Sequence, residues 1–187
     1  MRGVIDGAHS NDEECVPQFQ IHTPRSEFIL YCMRQPEIIR LPVQPMTRER
    51  FAPYGVLLDS RGSIEIDLGH GVPSLTGATA ERRPLRFEFM ARHQHTMQVF
   101  SPLVASQSII AVAPPNNGKV PEIERIAAFF VDGRLPYAYH KGTWHTPPFP
   151  VGEWTSYLVV DRSGTLEDDY ELIDLRLARN CVSEIER

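Results

Sequence analysis

Residues 108–118 read Ser-Ile-Ile-Ala-Val-Ala-Pro-Pro-Asn-Asn-Gly, an apolar run of strand length followed at once by turn-forming residues. Isoleucine and valine favour extended backbone, whereas proline, asparagine and glycine favour turns and end a strand. Similar apolar runs occur at residues 85–91, 97–103, 126–131, 156–160 and 170–175. Few of the intervals between them could hold the crossover helix that parallel strands require. The pattern therefore predicts a mainly β domain, an antiparallel sandwich or barrel with few short helices.

The length and local composition of the chain indicate one domain preceded by an extension. Its 187 residues, 42% of them hydrophobic, are enough for one sizeable core but too few for two domains with cores of their own. Residues 1–40 mix glycine, proline and acidic residues around an apolar island at 28–31, which either adds an edge strand or is disordered. We therefore divide the chain into an N-terminal extension, 1–40, and a single domain, 41–187. Thr47 is a candidate N-cap for a short helix, and residues 178–187 are expected to form a final helical turn.

Charge and composition exclude several classes of partner. The formal charge is -5, with no run of lysine and arginine, so nucleic acid is not an expected partner. No apolar run approaches the roughly 18 to 20 residues of a membrane span, and the first residues are acidic where a signal peptide is apolar. The three cysteines have no metal-ligand spacing. We expect a cytoplasmic protein that acts on a small molecule.

The segment Tyr139-His-Lys-Gly-Thr-Trp-His145 concentrates more chemistry than any other stretch of the chain. It places His140 and His145 five positions apart around Gly142, a residue that turns the chain easily and would let both rings face one pocket. An unperturbed imidazole titrates near pH 6.5 and is also the commonest metal ligand. The pair is therefore predicted to supply a base, an acid or metal ligands.

A second histidine cluster, Arg92-His-Gln-His-Thr-Met-Gln98, lies between the first two predicted core strands. In extended backbone His93 and His95 share one face, because side chains alternate with a period of two. Gln98 has the opposite parity and joins them only across a bend or bulge.

Together the two clusters resemble the cupins, small β-barrels with a His-x-His segment on one strand and a Gly-x-x-His segment on a later one. His93 and His95 match the first half, and Gly142 with His145 matches the second. The resemblance implies a double-stranded antiparallel barrel. It leaves two possibilities for the site: histidines that act without a cofactor, or a divalent nickel, zinc or manganese ion held by His93, His95 and His145. A typical cupin site adds a glutamate a few residues later, where this chain has Gln98.

Four segments within residues 41–175 resemble the ureidoglycolate lyase family, which is also of cupin fold. They are Phe51-Ala-Pro-Tyr-Gly55, Arg92-His93 with Gln98-Val-Phe-Ser-Pro-Leu103, Tyr139-His-Lys-Gly-Thr-Trp-His-Thr-Pro147 and Leu158-Val-Val-Asp-Arg-Ser-Gly164. The chain departs from the family at two positions, with Ala91 in place of the usual glutamate and Thr96 in place of the usual glycine.

The resemblance implies cleavage of ureidoglycolate to glyoxylate and urea in allantoin breakdown, within the purine catabolic route, by a homodimeric enzyme. This reaction moves one proton from a hydroxyl to a nitrogen and needs no nucleophile, which suits a site rich in histidine. His140 and His145 are the expected acid and base, and His93 and Gln98 are expected to orient the substrate. The expected substrate-binding residues, including the partners of its carboxylate, are Arg92, Tyr139, Lys141, Trp144 and Arg162.

Two other functions fit the same residues. A metal-dependent cupin that catalyses a different reaction, such as a dioxygenase or isomerase acting on a small carboxylated metabolite, is favoured by His95 and Ala91. A cupin that binds a ligand without turnover is the other. These charged residues also have a non-functional interpretation. Arg92 and Lys141 would then be solvated surface charges, and Asp161 and Arg162 would form a local ion pair.

Overall fold

A computed structural model describes residues 35–58 and 61–187 of the chain. The apolar island at residues 28–31 and two of the cysteines, Cys15 and Cys32, lie outside the described residues. The third cysteine, Cys181, is buried and free.

Within those ranges the chain forms fourteen β-strands, three short α-helices and one 3₁₀ turn. The strands are β1 (Glu37–Pro45), β2 (Gly55–Leu57), β3 (Pro73–Glu81), β4 (Arg86–Phe87), β5 (Phe89–Arg92), β6 (Gln98–Pro102), β7 (Ser108–Ala113), β8 (Ala127–Val131), β9 (Tyr137–Tyr139), β10 (Trp144–His145), β11 (Phe149–Pro150), β12 (Trp154–Arg162), β13 (Glu171–Asp174) and β14 (Cys181–Glu186). The helices are α1 (Arg48–Phe51), α2 (Thr165–Asp168) and α3 (Leu175–Arg179), and the 3₁₀ turn is Ile123–Arg125.

The strands form two sheets that curl as expected of a cupin-like β fold. In the described part of the chain, the larger sheet has the order β13-β5-β10-β7-β8-β1-β14-β4, with β11 also on β7. The smaller sheet has the order β2-β9-β6-β12-β3. Most neighbouring strands are antiparallel, as the turn formers predicted. The predicted mainly β, cupin-like class is therefore confirmed.

Strand β7, formed by the apolar run quoted first, is buried along its whole length. Its residues alternate between two apolar clusters, because successive side chains of a strand point to opposite faces. Ile109 packs in a cluster with Trp144 and Phe149. Ile110 packs in a second cluster, which is rich in aromatic rings and includes Phe129 and Tyr137. The run contains no polar face because both sides of this strand are covered.

The short helix α1 confirms the predicted cap. The hydroxyl of Thr47 accepts a hydrogen bond from the backbone N–H of Arg50 at 3.3 Å. The helix buries Phe51, whose ring meets those of Phe129 and Tyr137 edge to face. Of the helices in the described part of the chain, none has the length and apolar character needed to cross a membrane.

One expectation about the secondary structure was wrong, and two features of the sheets were not expected. Residues 181–186 form β14 rather than a helical turn, because they pair with β1, a long-range contact that no local pattern reveals. Strand β1 runs parallel to both β14 and β8, so the fold is not wholly antiparallel. Strand β3 was missed because its residues are small and polar, and they become a strand by pairing with β12 along nine positions.

Candidate active site

A cavity of about 680 Å³ lies between the two sheets. Its polar lining includes two imidazoles, an amide, a carboxylate and a guanidinium, from His93, His145, Gln98, Asp161 and Arg162. Its rim is apolar and partly exposed, with Phe89, Leu166, Tyr170 and Leu172. This combination of an apolar wall and a few convergent polar groups is typical of a small-molecule site.

The turn at Gly142 holds the two histidine segments together. Gly142 has a φ of 79°, in the left-handed region that favours glycine. Its backbone N–H donates a hydrogen bond to the carbonyl of His93 at 2.6 Å. The chain then enters β10, which ends at His145 and pairs with Ala91 on β5. One tight turn thus places His145 beside His93, with ring centroids 5.6 Å apart.

His145 is a neutral imidazole with one free nitrogen. Its Nδ1 donates a hydrogen bond to the carbonyl of Thr143 at 3.0 Å, which leaves Nε2 with its lone pair. The ring is stacked on that of Tyr139, with centroids 4.7 Å apart. Burial, reinforced by the neighbouring His93, lowers the pKa of His145 to about 4, so the ring is uncharged at neutral pH.

His93 has the same tautomer for the same reason. Its Nδ1 donates to the carbonyl of Asp169 at 2.6 Å, and its Nε2 is left as an acceptor. Burial lowers the pKa of His93, although the Asp169 carbonyl and the nearby Asp161 charge oppose this shift. The Asp169 carboxylate accepts the backbone N–H groups of Gln94 and His95 and so fixes the turn that follows His93. Two neutral rings therefore face one cavity.

Gln98 and Asp161 form a polar pair across two strands. The pairing of Val99 with Val160 places them side by side on β6 and β12. Gln98 Nε2 donates to Asp161 Oδ2 at 3.0 Å. Beside them, Arg162 donates hydrogen bonds to both carboxylate oxygens of Asp168. This contact raises the pKa of Arg162 and lowers that of Asp168.

Comparisons with known proteins point to one enzyme family. Residues 68–176 match the family model described as ureidoglycolate lyase. The chain is 33% identical over 145 residues to a ureidoglycolate lyase of Pseudomonas syringae pv. syringae (strain B728a), which covers 67% of this chain and 84% of that protein. Identity is 31% to the ureidoglycolate lyase of Pseudomonas paraeruginosa (strain DSM 24068 / PA7), with 67% and 85% covered. It is 30% to that of Stutzerimonas stutzeri (strain A1501), with 67% and 84% covered.

The chain belongs to the ureidoglycolate lyase family. The family predicted from the four sequence segments is therefore confirmed, and with it the enzyme class, a lyase. Membership in this family favours the lyase over the other cupin reactions and over a binding protein.

Several residues predicted for the site lie outside the cavity. His140 does not line the cavity: it is half-buried, and its Nε2 lies 3.1 Å from the carbonyl of Ala52, beside α1. Gly142 turns the chain between the two histidines, so only His145 reaches the cavity. Lys141 Nζ pairs instead with Asp67 at 2.5 Å, on the loop that precedes β3.

Arg92 also lies outside the cavity, because it alternates with His93 at the end of β5 and so points to the opposite side. Its guanidinium donates to Glu171 and to the carbonyl of Asn116, and lies 4.3 Å above the ring of Trp144. Trp144 itself is buried in the core, and Tyr139 serves as the stacking partner of His145. None of these three residues lines the cavity.

The three histidines predicted as metal ligands do not come together. His95 is exposed, because β5 ends at Arg92 and the following turn breaks the alternation that would have set it beside His93. In residues 35–58 and 61–187, no group of three histidine, cysteine, aspartate or glutamate side chains could hold a metal ion. The predicted ligand set therefore does not fit.

Asp161 is the residue that sequence reasoning missed. It falls within the fourth family-like segment, next to Arg162, where spacing alone cannot distinguish a cavity carboxylate from a local ion pair. The structure shows it half-buried, paired with Gln98 and lining the cavity.

Proposed function

We propose that this chain cleaves ureidoglycolate to glyoxylate and urea, with His93 and His145 at the reacting centre. The observation that carries the residue assignment is the pair of neutral imidazoles, each with Nδ1 held by a backbone carbonyl and Nε2 free, in one cavity with Arg162. Neutral rings of this kind present an acceptor nitrogen to a bound hydroxyl at neutral pH, and the guanidinium matches the substrate carboxylate.

The chemistry requires only the movement of one proton. In ureidoglycolate one carbon bears a hydroxyl, a carboxylate and the ureido nitrogen. As the hydroxyl loses its proton, a carbonyl forms, the carbon–nitrogen bond breaks and the nitrogen gains a proton, which releases glyoxylate and intact urea. General acid and base groups typically contribute about 10² to 10⁴ in rate to such steps.

We assign the proton transfer to His93 and an orienting role to His145. A proton carrier works best when its pKa lies near the working pH, and the pKa of His145, at about 4, is too low for this. His93 Nε2 accepts the hydroxyl proton, and the resulting imidazolium delivers it to the ureido nitrogen. His145 Nε2 accepts a hydrogen bond from the substrate and keeps the reacting carbon beside His93. Arg162, held in place by Asp168, binds the substrate carboxylate through its remaining N–H groups.

The test is the release of products by the purified full chain. Glyoxylate and urea should appear in equal amounts without ammonia, because amide hydrolysis would instead release ammonia and carbon dioxide. His93→Ala and His145→Ala should each lower the rate at least about tenfold, which corresponds to a barrier increase of about 1.4 kcal/mol.

Two histidines outside the cavity provide matched controls for this experiment. His95→Ala and His140→Ala remove the same side chain from an exposed turn and from the contact with Ala52, and should keep the wild-type rate within about twofold. Equal losses in all four variants would contradict the assignment. Absence of glyoxylate above the spontaneous rate, with wild-type protein, would contradict the function itself.

Cytoplasmic location and homodimeric assembly are further parts of the proposal, and a requirement for a divalent cation is tested in the same assay. Since the predicted ligand set does not form, no step is routed through a metal, and the assay is run on chelated protein with and without nickel, zinc or manganese. The substrate class points to the breakdown of allantoin, a product of purine catabolism. Cell fractionation tests the location, and the assembly is considered below.

A further inference from the structure

The polar lining of the cavity is divided between hydrogen-bond acceptors and a cation. Gln98 Nε2 is occupied by Asp161 Oδ2, and this fixes the orientation of the amide. In the described part of the chain, neither Gln98 Oε1 nor Asp161 Oδ1 makes another hydrogen bond with the protein. Gln98 is 8% exposed, so its amide has little freedom to turn. The pair therefore offers two acceptor oxygens at a fixed place.

Acceptor oxygens of this kind select for N–H groups. A carboxylate can only accept hydrogen bonds. The amide nitrogen of Gln98 is occupied by Asp161, so the amide offers a ligand its oxygen, which is also an acceptor. The ureido end of the substrate carries N–H donors on both nitrogens, whereas its carboxylate end carries none and is repelled by Asp161. Bonds from N–H donors to a charged acceptor are the stronger kind, and an acceptor left unpaired by a wrong ligand lowers affinity.

The position of Asp161 suits this role. Its charge acts on both His93 and Arg162, so the carboxylate lies within electrostatic reach of the proton carrier and of the cation. All three residues line the same cavity.

We propose that Asp161, oriented by Gln98, binds the ureido N–H groups of the substrate and makes the site selective for N-carbamoyl compounds. This inference rests on the proposed function and names the group that recognises the leaving urea. It also explains why Gln98 occupies a position where a cupin metal site has a glutamate: an amide can donate to Asp161, and a carboxylate cannot.

The test compares two unreactive ligands of nearly equal size. N-carbamoylglycine retains the carboxylate and the ureido group of the substrate but lacks its hydroxyl, and N-acetylglycine replaces the terminal amine by a methyl group. Wild-type protein should bind the carbamoyl compound at least about tenfold more tightly, as measured by calorimetry. Such a ratio is the size expected for a hydrogen bond to a charged acceptor.

Asp161→Asn should abolish this preference. In this variant the asparagine oxygen accepts the hydrogen bond from Gln98 Nε2. The asparagine NH₂ group then faces the ligand, so a donor replaces the acceptor oxygen of the wild type. The two affinities should then agree within about threefold. The exposed Asp132, on the turn after β8, provides the control, and Asp132→Asn should keep the wild-type ratio. Thermal unfolding of both variants checks that the fold is retained.

The outcomes separate this inference from the function on which it rests. A wild-type protein that releases glyoxylate but binds both ligands equally overturns the inference alone, as does an Asp161→Asn variant that retains the preference. A protein that prefers the carbamoyl ligand but releases no glyoxylate overturns the proposed reaction and leaves ureido recognition standing.

Discussion

At the scale of single residues, burial decides what the two cavity histidines can do. A ring that is taken out of water loses the solvation that stabilises its charge, and its pKa falls. His145 also lies against His93, so that charging one ring disfavours charging the other. Because each Nδ1 is held by a carbonyl, the free nitrogen of both rings is Nε2, and both act as acceptors toward the cavity.

The low pKa of His145 makes stability depend on pH. The ring titrates near 6.5 in the unfolded chain and at about 4 in the folded protein. Between these values the unfolded state binds more protons, so stability falls as pH falls from 6.5 toward 4. The loss due to His145 should reach roughly 2 kcal/mol at pH 5, since one pKa unit corresponds to about 1.4 kcal/mol.

We predict that His145→Gln loses less stability than the wild type when pH is lowered from 7 to 5. The measurement is the free energy of unfolding in guanidinium chloride at both values, since urea is a product of the proposed reaction. His93 titrates in the same direction, so part of the wild-type dependence should persist. His95→Gln, at an exposed position, should behave as the wild type. An acid loss of equal size in His145→Gln would show that this ring is not the source.

Of the five polar cavity residues named above, four were predicted from the sequence, and the misses have a common cause. His93, Gln98, His145 and Arg162 were expected to act together, and all four line the cavity. The direction of the other side chains depends on where a strand ends and how the next turn runs, which spacing does not determine. His95 lies three residues beyond the end of β5 and is exposed, whereas a continued strand would have placed it on the same face as His93.

At the scale of elements, the turn at Gly142 links the two histidine segments. Alanine at a φ of 79° costs about 1 to 2 kcal/mol, and its Cβ would lie 3.4 Å from that of Pro115, so Gly142→Ala should destabilise the protein by about this amount. The turn also carries the bond to the His93 carbonyl, so the rate should fall as well.

Gly152→Ala is the control for the glycine substitution. A Cβ at that position meets no atom within 4 Å, and stability should stay within about 1 kcal/mol of the wild type. Guanidinium chloride unfolding and the glyoxylate assay measure the two effects. An unchanged stability of Gly142→Ala would mean that the left-handed turn does not constrain this segment.

The predicted elements differ from the missed ones in how local their signals are. Strand β7 and the cap of α1 rest on apolar runs and on a hydroxyl three residues from its partner, so they were found. Strands β3 and β14 owe their form to partners far along the chain, β12 and β1. Local composition carries no record of such pairing.

At the scale of the whole molecule, the smaller sheet ends, within the described residues, at a long edge strand, β3. Within the described residues, β3 pairs only with β12, so one side of a nine-residue strand has no partner. Leu75 on this strand and Val72 just before it are 69% and 71% exposed. Long edge strands with apolar side chains tend to pair with another chain unless they are blocked.

We predict that the protein is a homodimer in which β3 edges take part. Sedimentation equilibrium should give twice the 21.3 kDa of one chain. Replacing both Val72 and Leu75 by lysine should shift the mass toward the monomer, because like charges would then face each other across the interface. Both side chains are exposed in the single chain, so the fold should tolerate the change.

A wild-type mass near 21.3 kDa would contradict the dimer, and a double variant that stays dimeric would place the interface elsewhere. Since residues on the opposite face of β3, among them Thr76 and Ala78, line the cavity, loss of the dimer should also weaken ligand binding.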